Sequence, residues 1–243
     1  PSWHRRREAS ERHIRSVLST PAARFRDQDP AHGVLLGYFE SARLYAVATQ
    51  VGEDSHVSLS TVIMSAFSRA LTTLCTDFPI RVGLVASNRF GERWGGLVTS
   101  MNQMISIPVE PGGECLRQPA LQALQAQTLR AYRLAMHDYD AVRPARLGLP
   151  DDTDPAPTYL YNIAPAWSSQ PSPVQDGDVP TISWRSAFNT LGPQCMLRVG
   201  ETPNGTLIVY LRIMGVSEAD GTRLLQSTYS LVMQAGAHVL SET

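Results

Sequence analysis

The sequence predicts an α/β fold: a sandwich built on a mixed sheet with flanking helices. Three observations lead there. A long amphipathic pattern over 58–76 is followed at once by an apolar strand pattern over 80–87. Near the end, two apolar runs flank Pro203-Asn204-Gly205, a turn whose Asn and Gly tolerate positive φ. Between these, helical and strand patterns are interleaved without the strict alternation that an all-parallel sheet requires. No internal repeat interrupts the series.

Taken in order, residues 2–18, "SWHRRREASERHIRSVL", read as a short and highly charged helix. Residues 19–32 carry Pro21, Pro30 and mixed charges and read as a linker. "VLLGYFESARLYAVATQV", 34–51, reads as one or two strands. The helix over 58–76 places Leu59, Val62, Ile63, Ala66, Phe67, Ala70, Leu71 and Leu74 on one face, with Ser58 as N-cap. Pro79 resets the chain into the strand 80–87, and a second apolar run, Ile105 to Val109, returns to the sheet. A helix over 119–137 begins at Pro119, a favoured first position. Residues 141–157, with four prolines and "DDTD", form a loop; "TYLYNIA", 158–164, is a short strand; 165–180 is a loop rich in Pro, Ser and Gly. The last helix, 217–240, carries Leu224, Leu225, Leu231, Val232 and Val239 on one face.

Composition narrows the function. The chain has 243 residues, 43% hydrophobic, enough for one substantial core or two small ones. The net charge of −1 gives no global field toward nucleic acid or an anionic membrane. All 21 basic residues are arginine. With no lysine, a phosphate-loop lysine and a Schiff-base lysine are both excluded on this chain. Cys75, Cys115 and Cys195 are odd in number and widely spaced, which fits neither a disulfide framework nor a zinc site and points to a reducing compartment. No apolar run approaches the length of a membrane span, and the N-terminus lacks the apolar core of a signal peptide, so a cytoplasmic location is expected. The chain starts at Pro1, not Met, and is read as a piece of something longer.

Catalytic patterns are scarce. His137, Asp138 and Asp140 stand too close in sequence to give one metal ion good geometry, and no metal site is expected. There is no nucleophile elbow and no G-x-G-x-x-G after a strand. Gly95-Gly96 is not followed by a helix that would make it a phosphate-binding turn.

One ordered series does stand out. The helix and strand lead into "VGLVASNR" and then "WGGLVTSMNQMISIPVE", placing Val82-Gly83, Asn88-Arg89, Gly95-Gly96, Asn102 and an apolar strand in sequence. "AYRLAMHDYDAVRPARLG", 131–148, carries His137-Asp138-Tyr139, and "TYLYNIA" ends its strand near Asn162. This series resembles the C-terminal lobe of a nonribosomal peptide synthetase condensation domain, within the chloramphenicol-acetyltransferase-like acyltransferases. The likeness runs from about residue 34 to 240. His137-Asp138-Tyr139 is similar to the family's H-Q-D-Y-P-F-E segment, from which Asp140 and Val142 depart.

The resemblance carries the following expectations. Residues 1–32 are a charged helix and linker to a missing N-terminal lobe, and 33–243 are the C-terminal lobe. The H-H-x-x-x-D-G motif belongs to that other lobe, so no catalytic residue is expected in this chain. Asn88, Arg89, Asn102, Asn162 and Trp184 are candidates for the seam between lobes or the tunnel wall, and Gly95 and Gly96 for a tunnel floor. Arg89 is the candidate partner for the motif's aspartate, and Asn162 for orienting an acyl carbonyl. Trp184, in "TISWRSA", falls where some relatives carry an aromatic-glycine pair; this chain has no such glycine, which leaves a core or lobe-contact role. The whole enzyme would join a carrier-bound acyl thioester to an amine or hydroxyl acceptor. Its partners would be the N-terminal lobe and acyl or peptidyl carrier proteins; phosphopantetheine would arrive on the carrier and no cofactor would be held permanently. The alternatives are a non-catalytic module that docks carriers or acts as scaffold, and an O-acyltransferase relative that uses coenzyme-A thioesters.

Overall fold

A seven-stranded mixed sheet runs through the structure, a computed structural model that describes residues 2–20, 23–75, 79–87, 102–110, 112, 114–135, 137, 142–143, 148–149, 159–165, 180–188 and 191–242. The strands are β1 (Val34–Ser41), β2 (Ile80–Ser87), β3 (Asn102–Val109), β4 (Tyr159–Pro165), β5 (Ser183–Ala187), β6 (Cys195–Glu201) and β7 (Leu207–Met214). Their order across the sheet is β3-β2-β4-β6-β7-β1-β5. The central trio β2, β4 and β6 is parallel, and every other pairing is antiparallel. The expected α/β architecture with a mixed sheet is therefore present.

The helices are α1 (Ser2–Leu18), α2 (Ala42–Ser55), α3 (Leu59–Leu71), α4 (Gln118–Arg133) and α5 (Glu218–Glu242). Alternate strand residues turn one face of the sheet toward α2–α5. Ile80, Val82 and Leu84 of β2, Leu197 and Val199 of β6, and Leu207, Val209, Leu211 and Ile213 of β7 are buried there. Helix α3 is buried on nearly every side, Thr61 to Ser68 without a break, because α2, α4 and α5 all pack around it. A helix surrounded in this way reads as apolar beyond a single stripe.

Ser58 caps α3 as expected, its Oγ accepting from the Thr61 amide at 3.3 Å. The helix stops at Leu71, short of the predicted end. There Thr72 and Thr73 donate their hydroxyls to the carbonyls of Arg69 and Ala70, at 2.7 and 2.8 Å, and tighten the chain into turns. The reading of 34–51 as strand is corrected beyond Ser41. Ser41 Oγ accepts from the Leu44 amide at 2.9 Å and starts α2 directly from the end of β1. Leu44, Ala48, Val51 and Ser55 then bury one helical face. Strand β5 is an addition that the sequence pattern did not reveal.

Helix α1 and residues 23–25 pack on this core. Helix α1 runs beside β3, the end strand of the sheet, with His13 Nε2 3.0 Å from the Ser106 carbonyl. Ser10 donates its hydroxyl to the Leu134 carbonyl. Ala23 and Phe25 are buried, Phe25 edge-on to the ring of Tyr159 with centroids 5.3 Å apart. The Tyr159 hydroxyl donates to the Ala23 carbonyl at 3.1 Å and lies 3.1 Å from Cys75 Sγ. One end strand is thus covered by a helix, a usual way of closing a sheet edge. The hairpin β6–β7 turns at Thr202–Thr206, closed by Gly205 at φ 74 and by the Thr202 amide donating to the Thr206 carbonyl at 3.0 Å.

Candidate functional site

Strands β2 and β4 are parallel neighbours, with Val82 opposite Tyr159 and Leu84 opposite Tyr161. Their carboxyl ends, Ser87 and Pro165, therefore lie at the same end of the sheet. Ser87 is the register partner of Asn102, the first residue of β3. Crevices at the carboxyl ends of parallel strands are where open α/β sheets place their ligands. Asn88, Arg89, Gly95 and Gly96 lie outside the described residues. Asn102 is described as backbone, in register with Ser87, and its side chain lies outside the description.

Asn162, half-buried, sits one residue beyond Tyr161 on the sheet face opposite α3. Register carries it across the sheet: Asn162 faces Arg198 of β6, Arg198 faces Tyr210 of β7, Tyr210 faces Tyr38 of β1, and Tyr38 faces Ser183 of β5. The five residues form one transverse row. The Tyr38 and Tyr210 rings are tilted against each other with centroids 5.0 Å apart, and Tyr38 donates its hydroxyl to Glu40. Partial burial raises the Glu40 carboxyl above its usual range. An Asn amide and a guanidinium in one row are both hydrogen-bond donors of the kind that can hold a carbonyl oxygen.

Trp184 belongs to a different place. Its indole lies on the helix side of the sheet, above Gly37 of β1 and beneath Gly221 in the first turns of α5. Its Nε1 donates to Thr222 Oγ1 at 2.9 Å. A Cβ on Gly221 would stand 2.4 Å from the ring and one on Gly37 2.7 Å, so both positions must lack a side chain for the ring to fit. Trp184 and Asn162 occupy opposite faces with three strands between them. The structure does not bring them together.

The His137 backbone docks against β3. Gln103, next to Asn102, donates through Nε2 to the His137 carbonyl at 2.6 Å and accepts from the His137 amide through Oε1 at 3.4 Å. The sequence reading named His137 and Asn102 and missed Gln103, whose amide joins the two segments; a glutamine in a strand carries no pattern that announces such a contact. Arg198 was missed as well, although the odd–even spacing of "CMLRVGE" places it on the face opposite Leu197 and Val199. Among the described residues no group of His, Cys, Asp and Glu could hold a metal ion. No described helix is long and apolar enough to cross a membrane.

No protein-family model matches the chain, and no curated protein matches it in sequence. Solved structures do. A condensation domain described for chain release from the enacyloxin polyketide synthase superposes with a TM-score of 0.73 at 14% identity, over 93% of this chain and 46% of that one. The chain has the fold of a condensation-domain lobe. The EpoB cyclization-docking bidomain from Sorangium cellulosum gives 0.68 at 13% identity, over 96% of this chain and 48% of its own. The SgcC5 protein from Streptomyces globisporus, solved with an aryl ethanediol and sucrose, gives 0.68 at 14%, over 96% and 56%. The lobe thus spans about half the length of each of these three structures. At these identities the likeness is one of fold.

Proposed function

We propose that this lobe is the C-terminal half of a condensation-type acyltransferase, which joins a carrier-bound acyl thioester to an amine or hydroxyl acceptor. The observation that supports it is the extent of the fold likeness: nearly all of this chain on about half of each relative. In this reading residues 1–32 are the approach from an N-terminal lobe and 33–243 the lobe proper. The N-terminal lobe supplies the H-H-x-x-x-D-G motif. Its second histidine takes the acceptor's proton as nitrogen or oxygen attacks the thioester carbon. The C–S bond then breaks, and the proton leaves with the pantetheine thiol on the carrier. Asn162, with Arg198 beside it, orients the acyl carbonyl and favours the oxyanion. Phosphopantetheine is part of the substrate here and comes with the carrier.

The intact mass of the native gene product, with its upstream reading frame sequenced, tests the reading. A product or co-expressed partner carrying H-H-x-x-x-D-G should transfer an acyl group from carrier to acceptor, and Asn162→Ala in it should lower kcat about a hundredfold with folding unchanged. Absence of that motif from both would overturn catalysis and leave a docking or scaffolding module. Transfer from coenzyme A alone would move the enzyme to the O-acyltransferases.

A further inference from the structure

A pocket of about 280 Å³ opens at the β5 edge of the sheet, lined by residues 36–38 of β1, 183–185 of β5 and Tyr210 of β7. Register sets its layout. Tyr38 lies between Ser183 and Tyr210, and in the next row on the same face Leu36 lies between Arg185 and Arg212. Its volume exceeds that of a cavity that admits benzene, about 150 Å³, and falls just short of the usual drug-sized site. It suits a single ring with a small head group.

The groups that a ligand would meet are accessible. Tyr210 is 38% exposed, Leu36 and Tyr38 are half-buried, and Ser183 and Arg185 are exposed. The Tyr38 and Tyr210 rings, tilted 45° to each other, form the apolar part with Leu36. Arg185 pairs with no acidic side chain among the described residues. Arg212 is buried, donates to the Leu191 carbonyl at 3.2 Å and adds its charge on the other side of Leu36. Arg198 stands beyond Tyr210 in the Tyr38 row. The acid on this face of β1 is Glu40, whose carboxyl accepts from the Tyr38 hydroxyl. It is four residues from Leu36, about 13 Å along the strand. Three guanidinium groups against one carboxyl make the potential around the pocket positive.

We infer that this pocket binds a small aromatic carboxylate, with the ring against Tyr38, Tyr210 and Leu36 and the carboxylate at Arg185 and Ser183. A guanidinium fork matches a carboxylate in shape and charge, and a serine hydroxyl can donate to the same group. A cation would meet Arg185 at the mouth and is disfavoured. The inference stands apart from the acyltransferase reading, since it concerns binding to this lobe alone.

Phenylacetate, phenylacetamide and acetate separate the two halves of the ligand. Each can be titrated against the full chain, reading the backbone amide resonances of Gly37 and Arg185. Phenylacetate should shift both saturably. Phenylacetamide, which lacks the charge, and acetate, which lacks the ring, should each bind about fivefold more weakly or worse. Added salt should weaken phenylacetate and leave phenylacetamide unchanged. Arg185→Gln, at an exposed position, should bring phenylacetate down to the level of phenylacetamide, and Tyr210→Ser should weaken both about fivefold. Matching denaturation midpoints establish that each variant is folded. No saturable shift in the parent, acetate or phenylacetamide binding as tightly as phenylacetate, or folded Arg185→Gln and Tyr210→Ser proteins that bind like the parent would each overturn the assignment.

Discussion

Trp184 shows how much one side chain can fix. Its ring is gripped between Gly37 and Gly221 and pinned by its bond to Thr222. Adding a methyl at Gly221 puts a carbon 2.4 Å from that ring and 2.6 Å from Ile213 Cδ1, an overpacking that should destabilise by about 1–3 kcal/mol in a urea titration. Trp184→Ala should cost about 3 kcal/mol, the low end for a large aromatic because the residue is half-buried. In the double variant the clash with the ring disappears and only that with Ile213 is left, so the combined cost should be less than the sum of the two; strict additivity would mean the ring and α5 do not touch. The thiols make a second residue-scale prediction. Cys75, Cys115 and Cys195 are all buried, and burial pushes the Cys75 thiol up to about 11. A disulfide reagent should label none of them in the native protein and all three in urea; a fast-reacting thiol under native conditions would contradict this.

What the sequence revealed about residues was uneven for a physical reason. Asn162 was named through the family likeness of "TYLYNIA", and that segment does form a strand, Tyr159–Pro165. The fit of Trp184 was not legible, because the residue that makes room for it lies on α5, and nothing local marks Gly221 as its seat. Gln103 and Arg198 were hidden the same way, their meaning coming from strands that meet only after folding.

At the scale of elements, α1 carries the clearest pH signal. Burial lowers the His13 pKa below 6.5, more strongly than its bond to the Ser106 carbonyl raises it. A histidine depressed in the folded state binds its proton more readily once unfolded. Stability should therefore be full above 6.5, fall as pH drops through 6.5, and level out below the lowered value. Chemical denaturation across that range should show the slope, and His13→Gln should flatten it; an unchanged slope would place the titration elsewhere. Ser41 is the hinge between β1 and α2, and Ser41→Ala should remove about 1 kcal/mol through the lost cap. That junction also explains a misread element. "ESARLYAVATQV" is rich in residues favoured by both strand and helix, and only the cap at Ser41 and the Leu44, Ala48, Val51 spacing decide for helix. Strand β5 escaped notice because "SWRSA" has one large apolar residue and no alternation; it is a strand because β1 offers it an edge.

For the molecule as a whole, the fold class was legible because the strongest patterns, α3 with β2 and the hairpin β6–β7, are local and lie far apart in the chain. Strand order was not, since register is decided between segments with no shared sequence signal. The two edges of the sheet also differ. Helix α1 runs along β3, whereas β5 is short and mostly exposed and is followed by the exposed Phe188.

The strand order has a further consequence for how the protein is made. β1 pairs with β5 and β7, and β4 needs β6, so both ends of the sheet's middle wait for residues near 214. A nascent chain leaving the ribosome carries the apolar strand β1 unpaired until β5 and β7 have been made. Contacts this distant in sequence close slowly and leave edges open to other chains. Stalled nascent chains ending before Cys195 should be cut readily by protease within β1, while chains extending past Met214 should resist, and the sheet should form late and nearly at once, when the last hairpin emerges.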